Sequence, residues 1–482
     1  MRSIDMNNEG DLGLQIYKVE DQYMISVGSL INNIKCLNLL RVDAEGNVIY
    51  KRQYSSLPYN WEPNAYTMCR VGDRSYIAGQ IYDPQNNTQG FIMEFDDDTG
   101  DSLGMIIQGG PYQELVINLT PTFDGNLLMG AYRHFSDNRI WLQKRRPDLS
   151  LVWERFLGPS FSWQGLGKIV ESVDGEIVFG RRVCLHPSGL CTKENLLITR
   201  TDSTGQEIWS IMHPEKADNT HPSMVAMDNG EVAVSWARDL WEELDSMIPY
   251  PPSVLWYSRE GELVRRYDFA STVGRDIFNL KIASNGDIFG VGMGDRRAES
   301  MGLTGWLFRL SPQGELLWER YISDIRNSVK LQYFRDLHEE PDGSLVLVGS
   351  HNDTFPDHIP FVNNPNVWFV RLDSTGCFEP GCGSIQVITS AQEPLAMPSG
   401  SPELILFPNP AGASFSLLME GYSQPVYPAQ AKMWDMQGRL LEERTVGAPS
   451  EIWYCEDRPP GVYWIQIHTS AGQAGVAKLV KR

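Results

Sequence analysis

The sequence predicts an all-β protein with two parts, a long repeating region and a small C-terminal module. Three observations predict this fold class. Short apolar stretches alternate with Gly, Asn, Asp and Pro turns along the chain, as is typical of all-β domains. A similar unit recurs about every 50 residues over 1–383, which is typical of repeat folds. The pattern then changes after residues 384–401, a stretch with Ser, Gly and Pro near its end that we predict to be a linker.

Each repeat contains two hairpins joined by a variable connection. The first hairpin turns on Asp-Gly or Asn-Gly, as at Asp124-Gly125 and Asn285-Gly286, and these dipeptides are the strongest short hairpin signals. The second turn carries Asp-x-x-Gly before a strand with an aromatic residue, as in Asp202, Gly205 and Trp209. Four strands in each of seven units predict a seven-bladed β-propeller over 1–383. The turns resemble those of quinoprotein-like propellers, whose blades carry Asp-x-x-Gly-x-x-x-Trp, and this resemblance implies the fold alone.

The ends of the repeating region predict how the ring closes. In the seventh unit, the tight loop 377–382 contains a proline where a fourth strand should run, and proline cannot donate to a strand ladder. Residues 2–5 align with 266–269, a fourth strand of another unit. We therefore predict that the N-terminus supplies the outer strand of the last blade. The alternative is that residues 384–389 supply it.

Residues 402–482 predict a small immunoglobulin-like β-sandwich, because short apolar strands are separated by turn residues. The order of these motifs closely resembles the C-terminal sorting domain of the type IX secretion system of Bacteroidetes. The residues that carry the resemblance are Pro408, Asn409, Pro410, Asp435, Gly438, Gly461, Tyr463 and Lys478. The resemblance implies that the export and sorting machinery is a partner, and that the protein is secreted or anchored at the outer-membrane surface. Family cargo also carries a signal peptide, which we expect to be absent from this chain because no apolar run follows Met1.

The charge of the chain restricts its partners. The net charge is −20, and residues 402–482 contribute little of it, with eight acidic and seven basic residues. Such a surface repels nucleic acid and anionic lipid, so we expect neither as a partner. The negative charge is explained by a need for solubility. The alternative explanation is a surface that binds cations or a basic ligand. The sequence contains no run of 18 consecutive apolar residues, so it predicts no transmembrane helix.

Two pairs among the seven cysteines predict disulfides. Cys184 and Cys191 flank one short loop, and Cys377 and Cys382 flank another. The three other cysteines are expected to be buried thiols, namely Cys36, Cys69 and Cys455. No second Cys-x₂₋₄-Cys pair exists to complete a zinc site.

The variable connections predict where a ligand binds. Long insertions fall between the second and third strands of a unit, at 81–89, 184–194, 238–252, 294–304 and 351–365. Loop variation on a rigid scaffold is where function usually lies, so we predict a ligand-binding face there. Trp236, Trp241 and Tyr250 are its candidate aromatic residues, although such residues also pack onto the blade.

One insertion also suggests a metal. His351, Asp353, Asp357 and His358 could bind a divalent cation such as calcium, since imidazole and carboxylate are common ligands. Their spacing follows no known ligand code, and polar loops without a metal have the same composition. No other cofactor is expected.

No motif in residues 1–383 names an activity. Gly-x-Ser-x-Gly, His-Glu-x-x-His and phosphate-binding sequences do not occur. The leading interpretation is therefore a propeller that binds an extracellular glycan or protein without catalysis. A propeller hydrolase or lyase acting on polysaccharide or peptide is the alternative, and a structural spacer is a third. An enzyme should place two carboxylates, or His with a carboxylate, in the central funnel with perturbed pKa values.

Overall fold

A computed structural model describes most of the chain as β-strands and divides it into two compact units, Met1–Thr389 and Ser390–Arg482. Among the described residues there is no helix, and so none that could cross a membrane. The described residues are 2–4, 10–31, 34–54, 60–61, 67–83, 87–108, 113–134, 139–157, 163–184, 194–217, 222–236, 252–269, 275–295, 303–324, 331–352, 365–379, 381–388, 403–407, 411, 414–420, 429–435, 439–446, 450–468 and 474–481.

The first unit begins with β1 (Arg2–Ile4) and continues as antiparallel sheets. Consecutive strands pair within each sheet, except that β6 and β7 of sheet II both pair with β8. Sheet I contains β2 (Asp11–Val19), β3 (Gln22–Ile31), β4 (Ile34–Val42) and β5 (Val48–Tyr54). Sheet II contains β6 (Asn60–Trp61), β7 (Thr67–Val71), β8 (Arg74–Tyr82), β9 (Thr88–Phe95) and β10 (Ser102–Gln108). Sheet III contains β11 (Gln113–Pro121), β12 (Leu127–His134), β13 (Ile140–Arg145) and β14 (Leu151–Leu157).

The remaining sheets of this unit follow the same order. Sheet IV contains β15 (Trp163–Glu171), β16 (Ile177–Cys184), β17 (Glu194–Thr201) and β18 (Glu207–Ala217). Sheet V contains β19 (Met224–Ala226), β20 (Val232–Trp236), β21 (Ser253–Tyr257) and β22 (Leu263–Asp268). Sheet VI contains β23 (Arg275–Ile282), β24 (Ile288–Asp295), β25 (Leu303–Leu310) and β26 (Leu316–Asp324). Sheet VII contains β27 (Leu331–Glu339), β28 (Leu345–Asn352), β29 (Asn366–Leu372) and β1.

The N-terminus closes the last sheet, as predicted. In β1, Arg2 lies opposite Phe369 and Ile4 lies opposite Val367, in antiparallel register with β29. The alternative was wrong, because β30 (Ile385–Ile388) instead pairs in parallel with β26 of sheet VI. The first unit therefore includes β30, which the sequence assigned to the linker.

The sheets contact one another in a ring. The first strand of each sheet packs on the preceding sheet, and β2 packs on β27 and β28 of sheet VII. We call β2, β7, β11, β15, β19, β23 and β27 the inner strands, and the space that they surround the channel. This ring of antiparallel sheets is the arrangement of a β-propeller.

The Asp-x-x-Gly turns join neighbouring sheets. Gly205 has a φ of +77°, and a Cβ there would lie 2.9 Å from the ring of Trp153 in sheet III. Because an L residue is strained at this φ and meets the ring as well, glycine suits the position. The corresponding turn approaches an aromatic ring of the preceding sheet at Gly46, Gly100, Gly261, Gly314 and Gly376. Ser258 and Ser311 replace the aspartate in the turns of Gly261 and Gly314. Gly314 packs on Trp256, which lies in β21, the third strand of sheet V. In β22, the fourth strand of that sheet, Arg265 stands where other sheets have the aromatic residue.

The second unit contains two sheets with a common core. One sheet has β31 (Glu403–Phe407), β32 (Ser414–Glu420) and β35 (Ser450–Tyr454). The other has β33 (Ala429–Asp435), β34 (Leu440–Val446), β36 (Gly461–His468) and β37 (Ala474–Lys481). Phe415 and Leu417 from the first sheet are buried in one cluster with Met433, Ile465 and Leu479 from the second. Alternating burial along β36 matches a strand with one face on a core.

Candidate functional site

The predicted aromatic face is only partly described, and its described member is buried. Trp236 is 4% exposed, and its ring lies edge-on to His213 with centroids 5.9 Å apart. The assignment of Trp236 to a ligand face was therefore wrong, because the side chain packs in the core between sheets IV and V. Trp241 and Tyr250 lie outside the described residues. The insertions do connect second and third strands, as predicted, for example β20 and β21.

The predicted metal loop also has one described member. His351 is 3% exposed, and its Nε2 lies 2.7 Å from the Ser3 Oγ of β1, a hydrogen bond whose donor depends on the tautomer. His351 thus helps to hold the closing strand, which is a structural role that the sequence did not reveal. Asp353, Asp357 and His358 lie outside the described residues. Within the described ranges, no three His, Cys, Asp or Glu side chains form a group that could hold a metal ion.

The cysteines agree with the prediction where they are described. Cys377 and Cys382 form a disulfide with a Cα–Cα distance of 5.7 Å. Cys184 is also disulfide-bonded, while Cys191, its predicted partner, lies outside the described residues. The three remaining cysteines are buried and not disulfide-bonded, namely Cys36, Cys69 and Cys455.

The described residues of the sorting motif build turns and strands. Asp435 accepts hydrogen bonds from the backbone N and the Nε of Arg439, at 2.9 and 3.0 Å. The Tyr463 hydroxyl donates to the Pro459 carbonyl at 2.7 Å, and Gly461 begins the same strand. Lys478 is exposed on β37. The other four motif residues lie outside the described ranges, namely Pro408, Asn409, Pro410 and Gly438.

The inner strands share an irregularity that positions polar side chains in the channel. A β-bulge interrupts five of them at the same place, as between Gly13 and Gln15 in β2 and between Phe334 and Asp336 in β27. The others are at Val116/Asn118, Leu166/Ile169 and Ile277/Asn279. Bulges redirect a side chain relative to a regular ladder. The polar residues at or beside this level form what we call the channel belt: Gln15, Thr67, Asn118, Lys168, Ser223, Asn279 and Asp336.

Belt side chains accept hydrogen bonds from the backbone of another inner strand. The N–H of Ile16 donates to Asp336 Oδ2 at 3.0 Å, which links sheet I to sheet VII. The N–H of Met68 donates to Gln15, and that of Leu280 donates to Ser223 Oγ at 2.9 Å. Similar bonds run from Leu119 N to Thr67 Oγ1 at 3.4 Å and from Ile169 N to Asn118 Oδ1 at 3.3 Å. The belt therefore ties the sheets together around the channel.

Two lysines join the belt across three sheets. Lys168 Nζ reaches from sheet IV to Asn279 Oδ1 and the Leu280 carbonyl of sheet VI, at 3.1 and 2.8 Å. Lys281 Nζ donates to the Leu337 carbonyl at 2.6 Å and lies 2.8 Å from Asp336 Oδ1. Burial, reinforced by the charge of Lys281, lowers the pKa of Lys168 to about 8. Lys168 is therefore only partly charged in mildly alkaline solution.

A second ion pair, between Lys18 and Glu340, lies next to the pair of Lys281 and Asp336. Glu340 accepts hydrogen bonds from the Lys18 ammonium and the Tyr23 hydroxyl. Although burial opposes it, these two bonds lower the pKa of Glu340. His338 Nε2 lies 3.8 Å from Glu340 Oε1, and burial together with Lys281 lowers the pKa of the imidazole. We call this set the channel cluster: Lys18, Lys168, Lys281, Asp336, His338 and Glu340.

The channel cluster lies toward one end of the channel. Its members lie in the later halves of β2, β15, β23 and β27 or directly after β27, near the short turns that follow these strands. The insertions are at the opposite end, since they follow the second strand of a sheet. The sequence did not predict the cluster because its members come from four sheets. The available signal was a lysine next to apolar residues in a first strand, as at Lys168 beside Ile169 and Lys281 beside Ile282.

Comparison with known proteins identifies no family. No family model and no curated protein matches the chain. Among solved structures, it is similar to the periplasmic gluconolactonase PpgL of Pseudomonas aeruginosa, with 11% identity, a TM-score of 0.43, and coverage of 76% of this chain and 97% of that one. It is also similar to polysaccharide lyase Uly1, with 10% identity, a TM-score of 0.47, and coverage of 78% and 99%. A third is the GH93 α-L-arabinofuranosidase of Fusarium graminearum in complex with arabinobiose, with 10% identity, a TM-score of 0.44, and coverage of 77% and 98%. At such identities and TM-scores, these likenesses add nothing to what the strands of this chain show by themselves.

Proposed function

We propose that the protein is a seven-bladed β-propeller that binds an extracellular glycan or protein ligand without catalysis. The strand pairing and the ring of sheets I to VII support the propeller. The insertions between second and third strands remain the proposed ligand face, with Trp241 and Tyr250 as its aromatic candidates. Asp353, Asp357 and His358 remain candidates for a calcium site in the same face.

One observation favours binding over catalysis. Asp336 accepts hydrogen bonds from Ile16 N, Asn279 Nδ2 and Leu337 N, and pairs with Lys281. Glu340 is similarly held by Lys18 and Tyr23. A carboxylate whose oxygens are occupied by fixed donors is poorly suited to act as a nucleophile or to exchange protons with a substrate.

The test of this proposal incubates the full chain with defined glycans and peptides, with and without calcium. Mass spectrometry then measures both retention and cleavage. Retention of an intact ligand supports binding, and retention that requires calcium supports the cation site. Cleavage products would refute the proposal, as would retention of no member of the panel.

A hydrolase or lyase is the second candidate, because His338 and carboxylates occur together in the channel. The lowered pKa of His338 keeps the imidazole neutral near pH 7, which is the form that can accept a proton. If this candidate is right, the same incubation yields products and His338→Gln abolishes them. Products that persist undiminished in His338→Gln would exclude this residue as the base.

We also propose that residues 402–482 form an immunoglobulin-like sorting domain that directs type IX export to the cell surface or medium. The order of the sorting motifs supports this assignment, together with two sheets around one core. The test fuses a signal peptide and a reporter to residues 390–482 in a bacterium with this export system. The reporter should leave the periplasm, and a control fusion that lacks 402–482 should remain there. Equal retention of both fusions would contradict the proposal.

A further inference from the structure

We propose that the channel cluster is a binding site for the carboxylate group of a small acidic molecule. The site lies at the opposite end of the channel from the insertions. It therefore goes beyond the ligand face proposed above and does not depend on it.

The cluster presents its cations and buries its anions. The side chains of Lys18, Lys281 and His338 are 26%, 32% and 29% exposed. Those of Asp336 and Glu340 are 3% and 6% exposed. A molecule entering this end of the channel therefore meets ammonium groups, in a protein whose net charge is −20. The contrast in sign makes this a local attraction for anions.

Charge and hydrogen-bonding capacity both suit a monoanion. Three lysines and two carboxylates leave one positive charge when His338 is neutral, which a single carboxylate balances. Each ammonium has three N–H donors. In the described part of the chain, Lys168 and Lys281 each make two contacts, which is fewer than the three donors of an ammonium group. Asn279 and Asp336 link the two lysines, since Asn279 accepts from Lys168 and donates to Asp336, the partner of Lys281. A carboxylate that contacts both ammonium groups would accept a hydrogen bond from each.

The protonation of Lys168 should control this binding. The charged groups that face it are Lys281 and Asp336, while Asn118 and Ser223 from the adjacent inner strands do not titrate. His338 is faced by Lys281, Glu340, Lys18 and Asp336. Since the pKa of Lys168 is about 8, the site has its full charge below that pH and loses one cation above it. Affinity for a carboxylate should therefore fall as the pH rises through about 8.

The experiment is calorimetric titration of the full chain with glucuronate, using glucose as the neutral control and inorganic sulfate as the dianion. Titrations at about pH 7 and about 9.5 bracket the pKa of Lys168, which is about 8. We expect saturable glucuronate binding that is weaker at the higher pH, weaker sulfate binding and no glucose binding. Lys168→Met should bind glucuronate about tenfold more weakly, as expected for loss of one charged hydrogen bond. The same substitution at the exposed Lys51 of β5 should change nothing.

A second variant keeps the test decisive if Lys168→Met does not fold. Lys168→Arg retains a charge at every accessible pH, so its glucuronate affinity should be equal at the two pH values. Absence of glucuronate binding by the unmodified protein would overturn the proposal. So would equal binding by folded Lys168→Met, or an affinity of Lys168→Arg that falls with pH as in the unmodified protein. Tighter binding of sulfate than of glucuronate would overturn the choice of a monoanion.

Discussion

The inner and outer parts of the ring join neighbouring sheets by different chemistry. Around the channel, polar side chains such as Gln15, Ser223 and Asp336 accept backbone N–H groups of another inner strand. Toward the outside, a turn glycine such as Gly205 packs on the aromatic ring of the preceding sheet. The inner contacts differ from sheet to sheet, whereas the outer contact is nearly the same each time. Both contacts hold the ring together, and the variable inner contact also gives the channel its own chemistry.

The largest expected effect comes from breaking the inner contact at Asp336. Asp336→Leu should lower the free energy of unfolding of the first unit by about 3–4 kcal/mol, because it leaves Lys281 and buried N–H groups without their acceptor. Asp336→Asn should cost less, since it retains one acceptor oxygen. Urea denaturation measures both. The control is Asp101→Leu, whose ion pair with Arg52 is about half exposed, so it should cost under about 1 kcal/mol. Equal losses in Asp336→Leu and Asp101→Leu would contradict the central role of the belt.

The outer contact can be tested with two glycines of similar conformation. Gly205→Ala should destabilise by about 2–3 kcal/mol, because strain at positive φ adds to a clash with Trp153. Gly125 has a φ of +75° and nothing within 4 Å of a Cβ, so Gly125→Ala should cost only the strain, about 1 kcal/mol. The difference between the two melting temperatures isolates the packing on the ring. If the two variants have equal melting temperatures, the turn glycines are required for their backbone conformation alone.

The next prediction concerns how much the disulfide between Cys377 and Cys382 stabilises the loop that follows β29. Gln386 of β30 bonds to the Gly376 carbonyl and the Phe378 N–H, at 2.6 and 2.9 Å, so the loop is held at both ends. Replacing Cys377 and Cys382 together by Ser should therefore lower stability by about 1–2 kcal/mol, near the low end for a short loop. Thermal unfolding with and without a reductant measures this loss. The double variant should respond to the reductant less than the unmodified protein does, because the disulfide of Cys184 remains in both. An unchanged melting temperature would show that Gln386 suffices.

The inner contacts should also make the stability of the protein depend on pH. Lys168 has a folded-state pKa of about 8, below its usual value of 10.5, so the unfolded chain binds more protons between these values. Its charged form therefore costs stability below pH 8, and stability recovers as the pH rises toward 10.5. The stability of the unmodified protein relative to Lys168→Met should therefore rise over that range. A difference that does not vary with pH would refute this assignment.

The sequence predicted the parts of the fold that depend on local order. Asp124-Gly125 and Asp202 to Gly205 specify turns by themselves, and their spacing predicted the strands between them. Closure by β1 followed from a missing strand near Cys377. The candidate site could not be predicted in the same way. Lys168 meets Asn279 only because bulges in different sheets turn both side chains into the channel, and Trp236 looks the same in sequence whether buried or exposed.

The pairing of β1 with β29 has a consequence for how the protein is made. Arg2 leaves the ribosome long before its partner Phe369, which is synthesised only after the other sheets of the ring. Pairing over such a sequence separation is slow and pays a large loop-closure entropy. The final sheet therefore stays incomplete during synthesis, with the edge of β29 open to other strands. If the chain were exported before β1 pairs with β29, its ring would still be open. The incompletely folded chain could then pass through a narrow pore.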